Sequence, residues 1–148
     1  MIARAATMND LPAIMEYSRP ACESSPTWAG LGYNSVIWRR TLMSSFKDPT
    51  MCVFGAFAGG KCHGILVGMS MPAPWCAGFL ASDLVFVADR AGDKLLDLFI
   101  EWCDKRKIRR MDMGVSDTGR DEAKDRLFKS KGFGRAGGVY FRINEVAK

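Results

Sequence analysis

The chain has 148 residues, five cysteines and a formal net charge of +5. That length suits one domain with one core, and no Ser/Pro/Gly-rich linker divides it, so a single domain over residues 1–148 is expected. Met1 to Asp10 lacks the apolar stretch of a signal peptide and no apolar run approaches membrane-spanning length, which predicts a cytoplasmic protein with no membrane partner. The cysteines (Cys22, Cys52, Cys62, Cys76, Cys103) are odd in number and form no C-x-x-C pair. A disulfide framework and a zinc ribbon are both disfavoured, and no metal site is expected.

Ile2-Ala-Arg-Ala-Ala reads as a first strand, and Thr7 to Asp10 as a capping-box-like start, with Asp in the usual Glu/Gln place, to a helix carrying Leu11, Ile14 and Met15. Pro20, Pro26, Gly30 and Gly32 break the chain from Pro20 onward, and Asn34 then caps a second helix with Ile37, Trp38, Leu42 and Phe46. The loop between them holds Glu23, Trp28 and Tyr33, a mixture that suits a substrate wall and equally suits plain packing on a core. Asp48-Pro49 stops the second helix. Met51 to Phe57 begins a strand, Gly59-Gly60 reads as a hairpin turn, and Cys62 to Met71 returns antiparallel with Ile65, Val67 and Met69 on one face. Gly64 and Gly68 mark bulges or close backbone approach. His63 has no second ligand at a recognisable spacing and reads as an ordinary histidine near a turn.

Ala81 to Cys103 organises the rest. Leu84, Val85, Phe86 and Val87 form one β-forming run with no polar break, which suggests a strand covered on both faces. Leu95, Leu96, Leu98, Phe99, Ile100, Trp102 and Cys103 spread over more than half of a helical wheel, as in a helix wedged against a sheet. The turn from Ala88 to Asp93 therefore offers free backbone N–H groups at a helix N-terminus, where phosphate or another anion can sit. A plain strand-turn-helix corner has the same sequence, and one glycine makes a weak phosphate loop. The basic run Asp104 to Arg110 complements the negative end of the helix dipole and lacks aromatics to stack on bases, which argues against nucleic acid. Met111 to Val115 reads as a strand parallel to the one before it. Asp117 to Asp121 turns into a helix with Ala123, Leu127 and Phe128 inward and Lys124, Lys129 and Lys131 outward. Gly132 ends that helix, with Phe133 packing after it, and Val139 to Ile143 reads as a last strand. Tyr140 and Phe141 on it suit a homodimer seam as well as the core.

This order of elements, with Ile2 to Pro12, Ala58-Gly-Gly-Lys-Cys-His-Gly64-Ile, Ala81-Ser-Asp-Leu-Val-Phe-Val and Arg126-Leu-Phe-Lys-Ser-Lys-Gly-Phe133, resembles the GCN5-related N-acetyltransferase (GNAT) superfamily over nearly the whole chain. The Ala-Ser-Asp-Leu opening, with Pro-Ala-Pro-Trp75 before it, resembles members encoded by phages and prophages, for which a host cytoplasm or a virion would be the location. The resemblance implies an α/β (α+β) fold with a mixed central sheet flanked by about four helices. It implies acetyl transfer from acetyl-CoA to an amine of a small molecule or a protein. Val85, Phe86 and Val87 would then pair with the pantetheine arm, and Arg90, Ala91, Gly92, Asp93 and Lys94 would wrap the pyrophosphate. The acceptor amine would arrive beside Asp83, with Glu23 and Tyr33 near the opening. Asp83 is the candidate base, directly or through a water, and a buried aspartate that caps a turn or pairs with an arginine fits the same position.

Two departures separate this chain from the family pattern. The family's loop reads Arg/Gln-x-x-Gly-x-Gly/Ala, whereas Arg90-Ala-Gly-Asp-Lys-Leu has one glycine in another register and a shorter connection, and Asp93 sets a carboxylate where phosphates would lie. Phe128 stands where the family usually has a tyrosine that protonates the leaving thiolate. An alternative therefore stays open: a catalytically inactive GNAT-fold protein, without cofactor, that acts by protein contact.

Overall fold

In the computed structural model, which describes residues 1–114, 121–138 and 140–145, the first strand β1 (Ile2–Ala5) leads through a 3₁₀ turn into α1 (Leu11–Ser24). A second 3₁₀ turn over Ala29–Leu31 precedes α2 (Ser35–Lys47), followed by β2 (Met51–Ala58), β3 (Lys61–Pro72), β4 (Phe79–Ala88), α3 (Gly92–Lys105), β5 (Arg110–Asp112) and α4 (Asp121–Ser130). The strands form one mixed sheet in the order β1-β2-β3-β4-β5, antiparallel except for the parallel β4–β5 pair.

Alternation along the strands divides the core into two layers. Cys52, Phe54 and Ala56 of β2, with Leu66 and Ala81, pack under Leu95, Leu96, Phe99 and Cys103 of α3 and Phe128 of α4. Val53, Ile65 and Val67 point the other way, against Leu11 and Ile14 of α1 and Leu42 of α2. The glycines of β3 let α3 approach. A Cβ at Gly68 would collide with the Phe99 ring, and one at Gly64 would lie 3.0 Å from Leu95 Cδ1.

Local signals account for most element ends. The Thr7 N–H donates to Asp10 Oδ2 at 2.8 Å, and Asn34 Oδ1 accepts from the Ile37 N–H at 3.0 Å. Gly59 and Gly60 turn the hairpin at φ 57° and 74°. Gly132, at φ 87°, closes α4 with Phe133 N–H donating to the Phe128 carbonyl at 3.0 Å and its own N–H to Lys129, a Schellman ending. The basic run is held by its neighbours: Lys105 pairs with Glu101, Arg106 lies over Trp102, Arg109 donates to the Ala77 carbonyl and Arg110 pairs with Asp112.

Three expectations are corrected. Helix α1 does not break at Pro20 but continues to Ser24, because both Pro20 and Glu16, whose carbonyl loses its donor, lie on the exposed face where solvent substitutes. Ala123 is exposed and Lys124 half-buried, since α4 meets the core through Leu127 and Phe128 in its second half; Lys131 is drawn in to Asp97 of α3 at 2.6 Å. No strand forms over residues 140–143, and Tyr140 and Phe141 are 101% and 83% exposed. A strand exists only by pairing, and among the described residues none pairs with this segment. Val115, residues 117–120 and Val139 lie outside the described residues. No described helix is long and apolar enough to cross a membrane.

Candidate functional site

Two features meet at β4. The first is a bulge. Val67 faces Val85 and Gly68 faces Asp83 across the β3–β4 ladder, so Leu84 has no partner. The extra residue puts Leu84 and Val85, consecutive in sequence, in the same core layer, with Val87 beyond them and Phe86 in the opposite layer. The second is a splay. Pairing of β4 with β5 is confined to Leu80, Ala81 and Ser82, while β4 runs on to Ala88. Among the described residues, the β5-facing edge of β4 from Asp83 onward has no strand beside it, and its N–H and C=O groups are available to an extended ligand.

On the α1/α2 face, Leu84, Val85 and Val87 are half-buried and pack against the layer of Leu11, Ile14 and Leu42. They floor a cleft of about 490 Å³ whose walls come from α1 (Ser18, Cys22), the 3₁₀ loop (Trp28, Leu31, Tyr33) and α2 (Ile37, Trp38, Thr41). Burial pushes the Tyr33 hydroxyl pKa up, against the charge of Arg19, whose guanidinium lies over the ring at 4.9 Å. The Trp38 Nε1–H is buried and has no hydrogen-bond partner among the described residues.

The structure brings Tyr33, Val85 and Val87 to this cleft, leaves Phe86 in the opposite layer and Arg90 to Lys94 at the α3 turn, and keeps both other residues expected around the acceptor, Glu23 and Asp83, off its walls. Glu23 belongs to the last turn of α1 and not to the loop, where it is exposed and pairs with Arg19 at 3.6 Å. Asp83 is turned toward the chain beyond β5: its Oδ1 accepts the Gly114 N–H at 2.9 Å. Burial raises its pKa above the ordinary 3.8, and the Gly114 hydrogen bond and the Lys124 charge oppose that rise.

At the far end of the open edge, the turn into α3 is partly committed. The Asp89 and Arg90 N–H groups both point at the His63 carbonyl, at 2.9 and 3.4 Å. Ala91 caps the helix in the left-handed region at φ 60°, ψ 25° with no side-chain cap hydrogen bond, so the first backbone N–H groups of α3 receive no capping side chain from it. Arg90, Asp93 and Lys94 are exposed around this turn. Phe128 is 6% exposed and packs on Phe86 and Phe133. No group of three or more His, Cys, Asp or Glu able to hold a metal occurs among the described residues.

Sequence reasoning missed most of the cleft. Its walls come from residues far apart in the chain, and Trp28 and Tyr33, two aromatics in a broken loop, were the available signal. The Asp83–Gly114 bond had none, since glycine advertises no partner.

No family model matches the chain and no curated protein matches it by sequence. Solved structures do match over nearly its whole length. An assigned acetyltransferase of Agrobacterium tumefaciens superposes with a TM-score of 0.73 at 19% identity, covering 98% of this chain and 100% of that one. An assigned acetyltransferase of Clostridium acetobutylicum, in a structure with acetyl-CoA, gives 0.70 at 14% identity over 97% and 95%. An aminoglycoside 6′-N-acetyltransferase of Acinetobacter haemolyticus gives 0.70 at 8% identity over 99% and 100%. The likeness is one of architecture: among the described residues, a mixed five-stranded sheet with four α-helices, the fold of the GNAT acetyltransferases.

Proposed function

We propose that this chain transfers an acetyl group from acetyl-CoA to a primary amine. The observation that carries the reading is the edge of β4 beyond Ser82, which has no partner strand among the described residues and runs from the cleft to the N–H groups at the start of α3. An extended, amide-bearing arm can pair there as an added strand, along Val85, Phe86 and Val87. The diphosphate then falls at Ala91, Gly92 and the exposed Arg90 and Lys94, where N–H groups and two cations outweigh the Asp93 carboxylate.

The thioester carbon is then delivered to the Leu84–Val85 bulge at the cleft floor, and holding amine and thioester together supplies a large part of the rate. The amine must lose a proton to attack. Asp83 is the proposed base; because it does not line the cleft and Oδ1 is held by Gly114, the proton travels through a water. Its raised pKa makes it a better proton acceptor than an exposed carboxylate. Phe128 offers no proton, so the thiolate leaves unassisted and takes its proton from water.

A second reading, a GNAT-fold protein that binds no cofactor and acts on a protein partner, is favoured by one specific feature: two N–H groups of the α3 turn are already aimed at His63. Calorimetric titration with acetyl-CoA separates the two. Micromolar binding that weakens when Arg90 and Lys94 are both changed to Ala supports the transferase, and no heat at millimolar cofactor overturns it in favour of the second reading.

A further inference from the structure

We infer that the cleft beside β4 selects an acceptor with a flat apolar body and a single amine, an arylalkylamine in chemical class, and disfavours polycationic amines. The inference rests on the acetyl-transfer reading only for which atom reacts. Its binding component stands on the cleft.

Three aromatic rings, Trp28, Tyr33 and Trp38, from the loop and α2, face a floor of Leu84, Val85 and Val87. Among the described residues, no Asp, Glu, Lys, Arg or His lines the space. Several of the polar groups that line it are engaged within their own helices: the Ser18 hydroxyl donates to the Ile14 carbonyl at 2.6 Å, the Thr41 hydroxyl to the Ile37 carbonyl at 3.0 Å, and Asn34 Oδ1 caps α2, which leaves the Trp38 Nε1–H as an uncharged donor without a partner among the described residues. Beside Tyr33 the charges cancel, since Arg19 is paired with Glu23.

A polycation entering such a space would give up the hydration of several ammonium groups with no carboxylate to receive them. An aromatic ring gains by burial and by offset or edge contacts with the three rings, and about 490 Å³ holds one or two rings with a short tail. One ammonium group, directed toward the bulge, is all that must be deprotonated. The amine nitrogen forms a bond to the thioester carbonyl carbon, the carbon–sulfur bond breaks, the amine gives up one proton and the thiolate takes one.

The test is equilibrium titration of the full chain with 2-phenylethylamine, ethylamine and kanamycin, each with and without saturating CoA. The arylalkylamine is expected to bind at least about tenfold more tightly than either competitor in one or both conditions. Trp28→Ala, at a partly exposed wall, should erase about that preference, and Leu31→Asp, also exposed, should shift it toward kanamycin. Kanamycin binding as tightly as the arylalkylamine, or no advantage of the arylalkylamine over ethylamine in either condition, overturns the inference. A preference for the arylalkylamine in a protein that binds no acetyl-CoA overturns acetyl transfer and leaves the ligand class standing. Acetyl-CoA binding without that preference does the reverse.

Discussion

Asp83 and Asp10 carry opposite electrostatic signs. Burial disfavours the charged form of Asp83 and raises its pKa, so folding is favoured by its protonated form. The stability linked to it is present below the ordinary carboxylate range and is lost as pH rises above 3.8 through the raised value. Asp83→Asn, which keeps an oxygen for the Gly114 N–H, should therefore unfold at higher urea than the parent at pH 7. The gain should vanish at a pH below that range, and a less stable variant at pH 7 would refute this. Asp10 behaves the other way. The Arg4 guanidinium holds it by two hydrogen bonds, at 2.7 and 2.9 Å, and brings its carboxyl down to about 2. Its contribution is complete above the ordinary value of 3.8 and disappears as pH falls toward 2. With Arg4 largely in solvent, Asp10→Asn should cost about 1 kcal/mol near neutral pH and nothing in strong acid, read from the same urea midpoints.

At the scale of elements, the start of α3 shows a mismatch between glycine and conformation. Ala91 takes the left-handed conformation at φ 60°, while Gly92 beside it has a conformation open to any residue. A Cβ on Gly92 would meet Ala88 at 3.6 Å, an ordinary contact. Ala91→Gly should stabilise the protein by about 1 kcal/mol, and Gly92→Ala should be neutral or stabilising by about 0.5 kcal/mol, both measured as thermal midpoints. That one glycine stands out of register was readable in the chain; that the cap would settle on alanine was not, because cap position depends on where β4 ends. The same division holds elsewhere. The Gly59-Gly60 hairpin, the Asn34 cap and the wide apolar face of α3 are local patterns, and local patterns survive into the fold. Pro20 was misread because its effect depends on whether the carbonyl it strands faces water, a tertiary fact. Residues 140–143 have strand composition but pair with no described strand, and nothing in their own composition reveals that. The cleft was legible only in Trp28 and Tyr33, since its floor depends on the Leu84 bulge, which arises from the two-strand register and not from β4 alone.

At the scale of the molecule, the two proposed ligands answer to different forces, and ionic strength separates them. The chain carries +5 overall, with exposed Arg90 and Lys94 flanking the α3 turn, so a polyanionic cofactor is attracted by charges that salt screens over a Debye length of about 10 Å at 0.1 M. The cleft has no charged side chain among its described lining residues. Raising salt from roughly 50 to 500 mM should weaken acetyl-CoA binding several-fold while leaving arylalkylamine binding unchanged or slightly tighter, since salting-out favours apolar burial. Thermal shifts report both ligands on one protein: a ligand at about 100 times its Kd stabilises by about 2.7 kcal/mol, several degrees for a chain of this size. Parallel salt dependence of the two shifts would mean that the amine is held by charge and not by the aromatic walls. A salt-independent cofactor shift would mean that the diphosphate does not sit at Arg90 and Lys94.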